Sequence, residues 1–224
     1  FTKIALIFLV TLILAAGLAR ISFLVYERMV RRDSVVAEIA AATARAQTMV
    51  GPVLVIPYTR IIKILKPADK EDGRPLEVEK RIADRLLLLP AELDVQASLN
   101  TEPVRRGLYQ AVVFSASLAF KGRFAAEGEP VKPGANEQMI LGEPRLIIGI
   151  TDPRGILRAP ALTWGEQRVD FLPGTGEERM ADGIQARISG LNLQSPWSAE
   201  FAFTLDVRGT QSISLAPVGD ATRI

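Results

Sequence analysis

Hydrophobic and polar positions divide this chain into three regions with different patterns. In the first region, residues 4–26 carry no charged side chain except Arg20. A helix over this stretch would be about 34 Å long, which fits a bilayer core of about 30 Å. We therefore predict a transmembrane helix over residues 1–26, with Arg20 and Tyr26 at the membrane interface. A signal peptide and a buried core helix are the two alternatives.

The second region, residues 27–50, contains neither Gly nor Pro. Its apolar and small side chains recur at helical spacing, at Met29, Val36, Ile39, Ala40, Thr43, Ala46 and Val50. This spacing predicts an amphipathic juxtamembrane helix that continues the first helix without a break. Gly51 can adopt the left-handed conformation that closes a helix, and Pro52 cannot continue one, so we predict that the helix ends there.

The third region, residues 51–224, alternates polar and apolar positions in short runs, which predicts β-strands. Clear examples are residues 92–99, 184–188 and 200–207. Other runs, such as residues 144–150, are almost wholly apolar and predict more deeply buried strands. About ten runs at the spacing of antiparallel sandwiches or barrels predict one mainly β domain of sandwich or barrel type.

Turns and loops separate these runs. A turn at residues 208–210, followed by alternation at residues 212–215, predicts a C-terminal hairpin with one solvated face. Three longer polar segments predict loops, at residues 66–75, 126–137 and 173–183.

Composition limits the chemistry open to this chain. It has no His and no Cys, and its 27 basic and 25 acidic residues give a net charge of +2. Thiol nucleophiles, His general bases and the usual zinc and haem ligand sets are therefore excluded. The nearly balanced charge and an aromatic content of 6% argue against nucleic acid as a partner. We expect no cofactor and no metal.

A turn motif supplies the first candidate site. Asp152, Pro153 and Gly155 stand at the first, second and fourth positions that a type I turn prefers. A functional interpretation would instead make Asp152 and Arg154 a charged pair in a cleft. Turn chemistry already accounts for three of the four residues, so we favour the structural turn.

Two further segments offer weaker candidates. Pro173, Gly174 and Gly176 predict a glycine-permitted turn, because no Lys-Ser or Lys-Thr pair follows them as a phosphate loop requires. Acidic residues at 69–73 lack the oxygen-ligand spacing of a calcium loop and predict a solvated turn.

Four segments together resemble one known family. They are residues 50–60, which follow the predicted membrane helix, and residues 86–124, 141–156 and 171–176. In order and spacing they resemble the inner-membrane CreD family, the cell envelope integrity proteins of Gram-negative bacteria. The resemblance runs from the anchor to about residue 217, and its most specific pieces begin at Val50-Gly51-Pro52 and at Asp152.

The resemblance implies a longer protein with further transmembrane helices after this chain. It implies an inner-membrane location, a periplasmic β domain, and induction through the Cre two-component system during envelope stress. It carries over no catalytic residues. The distribution of positive charge instead favours a cytoplasmic β domain, because Arg28, Arg31 and Arg32 follow the span and only Lys3 precedes it. We follow the family, since later helices also influence topology.

The expected function is therefore that of a non-enzymatic membrane protein that supports envelope integrity. Besides the lipid bilayer, its β domain would bind an envelope protein or a cell-wall component. A homo-oligomer and a subunit of a membrane complex both stay open. The alternatives are a periplasmic sensory domain and a carboxylate-dependent enzyme that acts on glycan or lipid.

Overall fold

The computed structural model describes residues 2–66, 76–127, 133–134, 137–193, 195–216 and 218–224. The acidic segment at residues 69–73 lies outside these ranges, as do most of the predicted loops at 66–75 and 126–137.

One helix, α1 (Thr2–Ala42), precedes the strands. It is long and apolar enough to cross a membrane, with a mean hydropathy of 2.5 over its most apolar window and none of that window buried. The helix continues past Tyr26 without interruption, as the sequence predicts. The predicted end of the helix is wrong, because α1 ends at Ala42 rather than at residue 50. Residues 47–50 instead pair with two strands distant in sequence, which outweighs their local helical pattern.

The rest of the described chain is mainly β, which confirms the predicted fold class. Its strands are β1 (Gln47–Lys66), β2 (Leu76–Leu88), β3 (Glu92–Arg106), β4 (Tyr109–Ala126), β5 (Glu137–Leu141), β6 (Arg145–Ile150), β7 (Ala161–Trp164), β8 (Gln167–Asp170), β9 (Leu172–Pro173), β10 (Gly183–Arg187), β11 (Trp197–Thr210), β12 (Ile213–Ala216) and β13 (Ala221–Arg223). Within the described ranges, the helical segments after α1 are the 3-10 turns Pro153–Gly155 and Glu178–Met180.

These strands form two sheets. Sheet A runs β12-β1-β6-β10-β9, with β2 and β5 also paired to β1, and sheet B runs β13-β3-β4-β11-β7-β8. Most neighbours are antiparallel, but β12 is parallel to β1 and β13 is parallel to β3. The main core contains buried residues of both sheets, such as Leu54 and Ile148 of sheet A and Phe120 and Phe203 of sheet B, whose stacked ring centroids lie 4.6 Å apart. The two sheets therefore pack as a sandwich.

Gly51 and Pro52 do not end the helix but lie inside β1, which is a further correction. The register against β6 shifts between Val50 and Val53, so β1 carries one extra residue there, and the Gly51–Pro52 peptide is cis. Proline lacks an N–H for the ladder, and Gly51 has φ +123°, so a bulge suits both residues. A Cβ on Gly51 would lie 3.0 Å from the Ile147 carbonyl oxygen.

The predicted C-terminal hairpin is also wrong. Residues 208–210 complete β11, whose pairing with β4 extends to Thr210. The chain then turns at Gln211, with φ 70°, and β12 joins β1 in the other sheet. Local alternation located both strands correctly but could not reveal that they belong to different sheets.

One predicted strand is buried over only part of its length. In β3, Leu93 and Val95 are buried, whereas Ala97 and Leu99 are exposed. The hairpin of β3 and β4 thus continues beyond the sandwich core. Its distal half lies beside α1, where Ile39 packs with Ala111 of β4.

Candidate functional site

Buried polar side chains join the end of α1 to the β domain. Gln47, the first residue of β1, is 1% exposed, and its Nε2 donates a 3.0 Å hydrogen bond to the Asp152 carbonyl. The Asp152 N–H donates to Gln47 Oε1 at 3.4 Å. From sheet B, Thr210 Oγ1 donates to the Ala44 carbonyl at 2.9 Å. These bonds satisfy buried polar groups and fix the segment after α1 to both sheets.

The predicted turn at residues 152–155 lies at this junction. Asp152 precedes the 3-10 turn, and the Gly155 N–H donates to the Asp152 carbonyl at 3.0 Å. The carboxylate of Asp152 accepts from Arg154 Nε at 2.8 Å and Arg154 Nη2 at 2.7 Å. It also accepts from the Arg45 N–H at 3.2 Å. The turn and the charged pair are thus both present, and together they hold the segment that leaves α1.

The electrostatics of this pair favour its charged form. Hydrogen bonds from the Arg154 side chain lower the pKa of Asp152 from 3.8 to about 2, although burial acts against them. The backbone N–H groups of Arg45 and Arg154 lower it further. The same contact raises the pKa of Arg154. The pair is therefore ionised at neutral pH and serves as a structural link, not as a proton donor.

Pro173, Gly174 and Gly176 lie in the connection that follows β9. Gly174 and Gly176 have φ values of +79° and +73°, which favour glycine. The Gly174 N–H donates to the Gly183 carbonyl at 2.8 Å, which holds the connection against β10. A Cβ on Gly176 would collide with the guanidinium of Arg145. This close approach explains a glycine there without any phosphate ligand.

The same connection places a carboxylate between two arginines, which sequence analysis missed. Glu177 is 7% exposed and contacts Arg85 Nη1 at 2.7 Å and Arg145 Nη2 at 3.2 Å. Its N–H donates to Thr175 Oγ1 at 3.1 Å. Each carboxylate oxygen of Glu177 has an arginine partner within the fold, so Glu177 ties β2, β6 and this connection together.

The other predicted residues lie elsewhere. Gly51 and Pro52 are in the β1 bulge, and Arg20 and Tyr26 are exposed on α1. The structure therefore does not bring the predicted residues into one cavity. The membrane-interface role of Arg20 and Tyr26 stays a prediction.

A tyrosine–carboxylate pair lies on β1 and β2. Tyr58 donates from its hydroxyl to Asp84 Oδ2 at 3.0 Å. Desolvation first, and Asp84 second, raise the pKa of Tyr58, while the Arg85 N–H is the main cause of the lowered pKa of Asp84. Both shifts keep each group in its ordinary charge state at neutral pH, so they supply no general acid or base.

The clearest concave surface is the outer face of sheet B. A groove of about 670 Å³ crosses strands β13, β3, β4 and β11. Strand register aligns its side chains in two rows: Ala221, Glu92, Arg123 and Glu200 form the first, and Arg223, Asp94, Lys121, Ala202 and Thr163 form the second. In each row, side chains on three neighbouring strands alternate in charge: Glu92, Arg123 and Glu200 in the first, and Arg223, Asp94 and Lys121 in the second. Arg123 Nη2 contacts Glu92 Oε1 at 2.6 Å.

A second groove of about 410 Å³ adjoins the first on the same face. The two share Lys121, Thr163 and Ala202 in their linings. The second adds small side chains and further charged ones, namely Ala119, Ala161, Thr204, Arg158, Arg168 and Asp206. We call the two together the sheet B surface. Small residues and mixed charges suit the binding of a polar partner that carries both signs of charge.

Sequence analysis missed the sheet B surface. The alternation in residues 92–99 and 200–207 did signal outward polar positions. It could not show that Glu92 and Glu200 flank the same arginine, because β11 joins this face through long-range pairing with β4. Among the described residues, no group of three or more acidic side chains could hold a metal ion.

Comparison with known proteins agrees with the membrane helix. A family model described as "Inner membrane protein CreD" matches residues 1–224. Inner membrane protein CreD of Escherichia coli (strain K12) is 25% identical over 224 residues, which cover 98% of this chain and 46% of that relative. The chain thus spans about half the length of the relative it matches. No solved structure matches it. By the extent of the family match, the chain belongs to the CreD family of inner membrane proteins.

Proposed function

We propose that the β domain is a periplasmic binding module that α1 tethers to the inner membrane. By binding an envelope component, the module supports envelope integrity. It acts in the envelope stress response of the Cre regulon, which the family resemblance implies. The observation that carries this function is the sheet B surface, where acidic and basic side chains alternate around small residues.

The chemistry of this surface favours binding over catalysis. Glu92 and Glu200 stand on either side of Arg123, two strand spacings or about 10 Å apart. Arg123 contacts Glu92 Oε1 at 2.6 Å, so a cation rather than open space for a substrate separates the two carboxylates. The chain contains no His or Cys to act as base or nucleophile.

The partner that fits is an extended, zwitterionic segment. Alternating rows of charge, spaced by the strands at about 4.8 Å, match a peptide whose own charges alternate in sign. An envelope protein segment and the peptide part of a cell-wall precursor both have this chemistry. The small side chains of Ala119, Ala202 and Thr204 let such a chain approach the sheet closely.

Photo-crosslinking tests this function. A photoreactive amino acid is placed at Thr163 or Thr204, both exposed on the sheet B surface. Glu79 is the matched control, because it is exposed on a strand of sheet A. We expect adducts in intact cells from the first two positions and background yield from Glu79. Equal yields from all three, or none from any, would contradict the proposal.

A charge reversal then tests the recognition chemistry. Lys121 lines both grooves. The variant Lys121→Glu should therefore lower the adduct yield from Thr163 and Thr204. Lys80→Glu, exposed on β2, makes the same change in net charge on the other sheet and should leave the yield unchanged. If both variants lowered the adduct yield equally, the result would indicate a general effect of net charge and contradict specific recognition by the sheet B surface.

A further inference from the structure

The tip of the β3–β4 hairpin presents an apolar side chain far from the core. Leu108 is 99% exposed, more than any other described large hydrophobic side chain. It lies in a two-residue turn with Gly107, closed by the pairing of Arg106 with Tyr109. Gly107 has φ +62°, which lets the strands reverse tightly. A single exposed leucine is unremarkable by itself, so its surroundings decide its meaning.

The hairpin is fixed against α1. Ile39 is buried in a small cluster with Ala111 and Val113 of β4, and Val35 and Val36 of the helix pack against it. Farther along the hairpin, Arg106 Nη1 contacts Glu38 Oε2 at 2.9 Å. These contacts place the distal hairpin alongside the part of the helix that leaves the membrane segment.

The direction of the hairpin follows from the end of the helix. Val113 pairs with Thr210, and the Thr210 N–H donates to the Arg45 carbonyl at 3.4 Å, just beyond α1. The path from Val113 through Ala111 to Leu108 therefore leads back along α1 toward its membrane segment.

The distance can be estimated from strand and helix geometry. Leu108 lies about 10 Å beyond Ala111, a length that about seven residues of helix cover. Because Ala111 belongs to the cluster with Val35, Val36 and Ile39, the turn reaches the level of roughly residues 28 to 32 of α1. That level is about one to two helical turns beyond Tyr26, where the apolar segment ends.

Charges near this level suit lipid headgroups. Five arginines lie on the juxtamembrane helix and at the tip: Arg28, Arg31, Arg32, Arg105 and Arg106. Three of them contact acidic residues, in the pairs Arg31–Glu27, Arg32–Asp33 and Arg106–Glu38. Within the described part of the chain, no ion pair involves the side chains of the other two. Arg105 lies shortly before Leu108 in the chain, and Arg28 lies at the level estimated for the turn, so both cations suit the basic surroundings of an interfacial apolar contact.

We propose that the β3–β4 turn docks on the bilayer that α1 spans, with Leu108 in the interface and Arg105 against anionic headgroups. The domain then touches the membrane at two points, the helix and the hairpin tip. Continuity with the membrane helix identifies the lipid surface as the occupant, because the same packing that fixes the hairpin brings its tip to the headgroup level.

Lipid quenching tests this docking on the full chain in vesicles that contain an anionic lipid. Because the chain has no Cys, Leu108→Cys can carry a single environment-sensitive fluorophore. Asn100→Cys is the matched control, because Asn100 is exposed on β3 and lies away from the β3–β4 turn. We expect a blue-shifted emission and a loss of fluorescence with spin-labelled lipids at Leu108→Cys, and neither at Asn100→Cys.

Two outcomes would overturn the proposal. Emission at Leu108→Cys that matches Asn100→Cys and resists lipid quenchers would show a tip in water. A blue shift without lipid quenching would assign the tip to a second copy of the chain instead. Adding Arg105→Glu should reduce quenching in anionic vesicles, and an unchanged loss of fluorescence would contradict the proposed contact of Arg105 with the headgroups.

Discussion

At the residue scale, Asp152 links three parts of the chain. Its carboxylate accepts hydrogen bonds from the Arg154 side chain and from the Arg45 N–H after α1, and its backbone bonds to Gln47 of β1. Asp152 is 5% exposed, so these bonds form in a site that excludes most water. Hydrogen bonds to a buried charge are stronger than neutral ones, which makes this carboxylate a strong polar link between the segment after α1 and the domain.

Replacing this carboxylate should weaken the junction. Asp152→Asn removes the charge and leaves one acceptor oxygen for several donors. We expect a loss of about 2 kcal/mol in the free energy of unfolding, measured by denaturant titration in detergent. Asp170→Asn, the same change at an exposed strand position, should cost less than about 0.5 kcal/mol. Equal losses in both variants would contradict the role given to Asp152.

The lowered pKa of Asp152 also predicts a pH dependence. Because its pKa falls from 3.8 to about 2 on folding, the ionised carboxylate contributes stability that is fully present above about pH 4. That contribution is lost as the pH falls through about 2. The difference in Tm between the parent chain and Asp152→Asn should therefore shrink below about pH 4. A constant difference down to pH of about 2 would rule out this linkage.

At the scale of elements, α1 and the β3–β4 hairpin form one composite arm. The helix buries Ile39 against β4, while most of its other side chains are exposed. We therefore expect the small cluster at this contact to help fix the orientation of the domain relative to the helix.

Removing the apolar contact should loosen this arm. Ile39→Ala deletes a buried side chain from the cluster and should lower the free energy of unfolding by about 2 kcal/mol. Faster amide hydrogen exchange at Ala111 and Val113 should accompany the loss. Met29→Ala, at a half-exposed position of the same helix, is the control and should change neither quantity. If exchange in β4 were unaffected by Ile39→Ala, the helix would not hold the hairpin.

Elements were predicted from sequence where burial matches a local period. The apolar run of α1 and the alternation in β10 and β11 gave the right element types. Residues 47–50 carried a helical pattern, yet pairing with β6 and β12 makes them strand. Gly51 and Pro52 signalled an interruption, but a bulge and a helix end use the same two residues, and only long-range pairing separates them.

At the scale of the whole molecule, the fold places different tasks on different faces. One end of the sandwich holds the membrane helix and the hairpin tip, while the outer face of sheet B holds the two grooves. The sequence predicted a β domain of sandwich or barrel type on a membrane anchor, but not this surface. Its charge rows arise from the register of β13, β3, β4 and β11, which adjacent residues do not encode.

The side of the membrane that carries the β domain is the most direct test of the account. Single cysteines can be placed at Thr204 on the sheet B surface and at Lys3 on the opposite end of α1, because the chain has no native Cys. A membrane-impermeant maleimide reaches the periplasm of cells with a permeabilised outer membrane. We predict labelling of Thr204→Cys in such cells, and of Lys3→Cys only after the inner membrane is lysed. Labelling of Lys3→Cys with protection of Thr204→Cys would contradict a periplasmic domain.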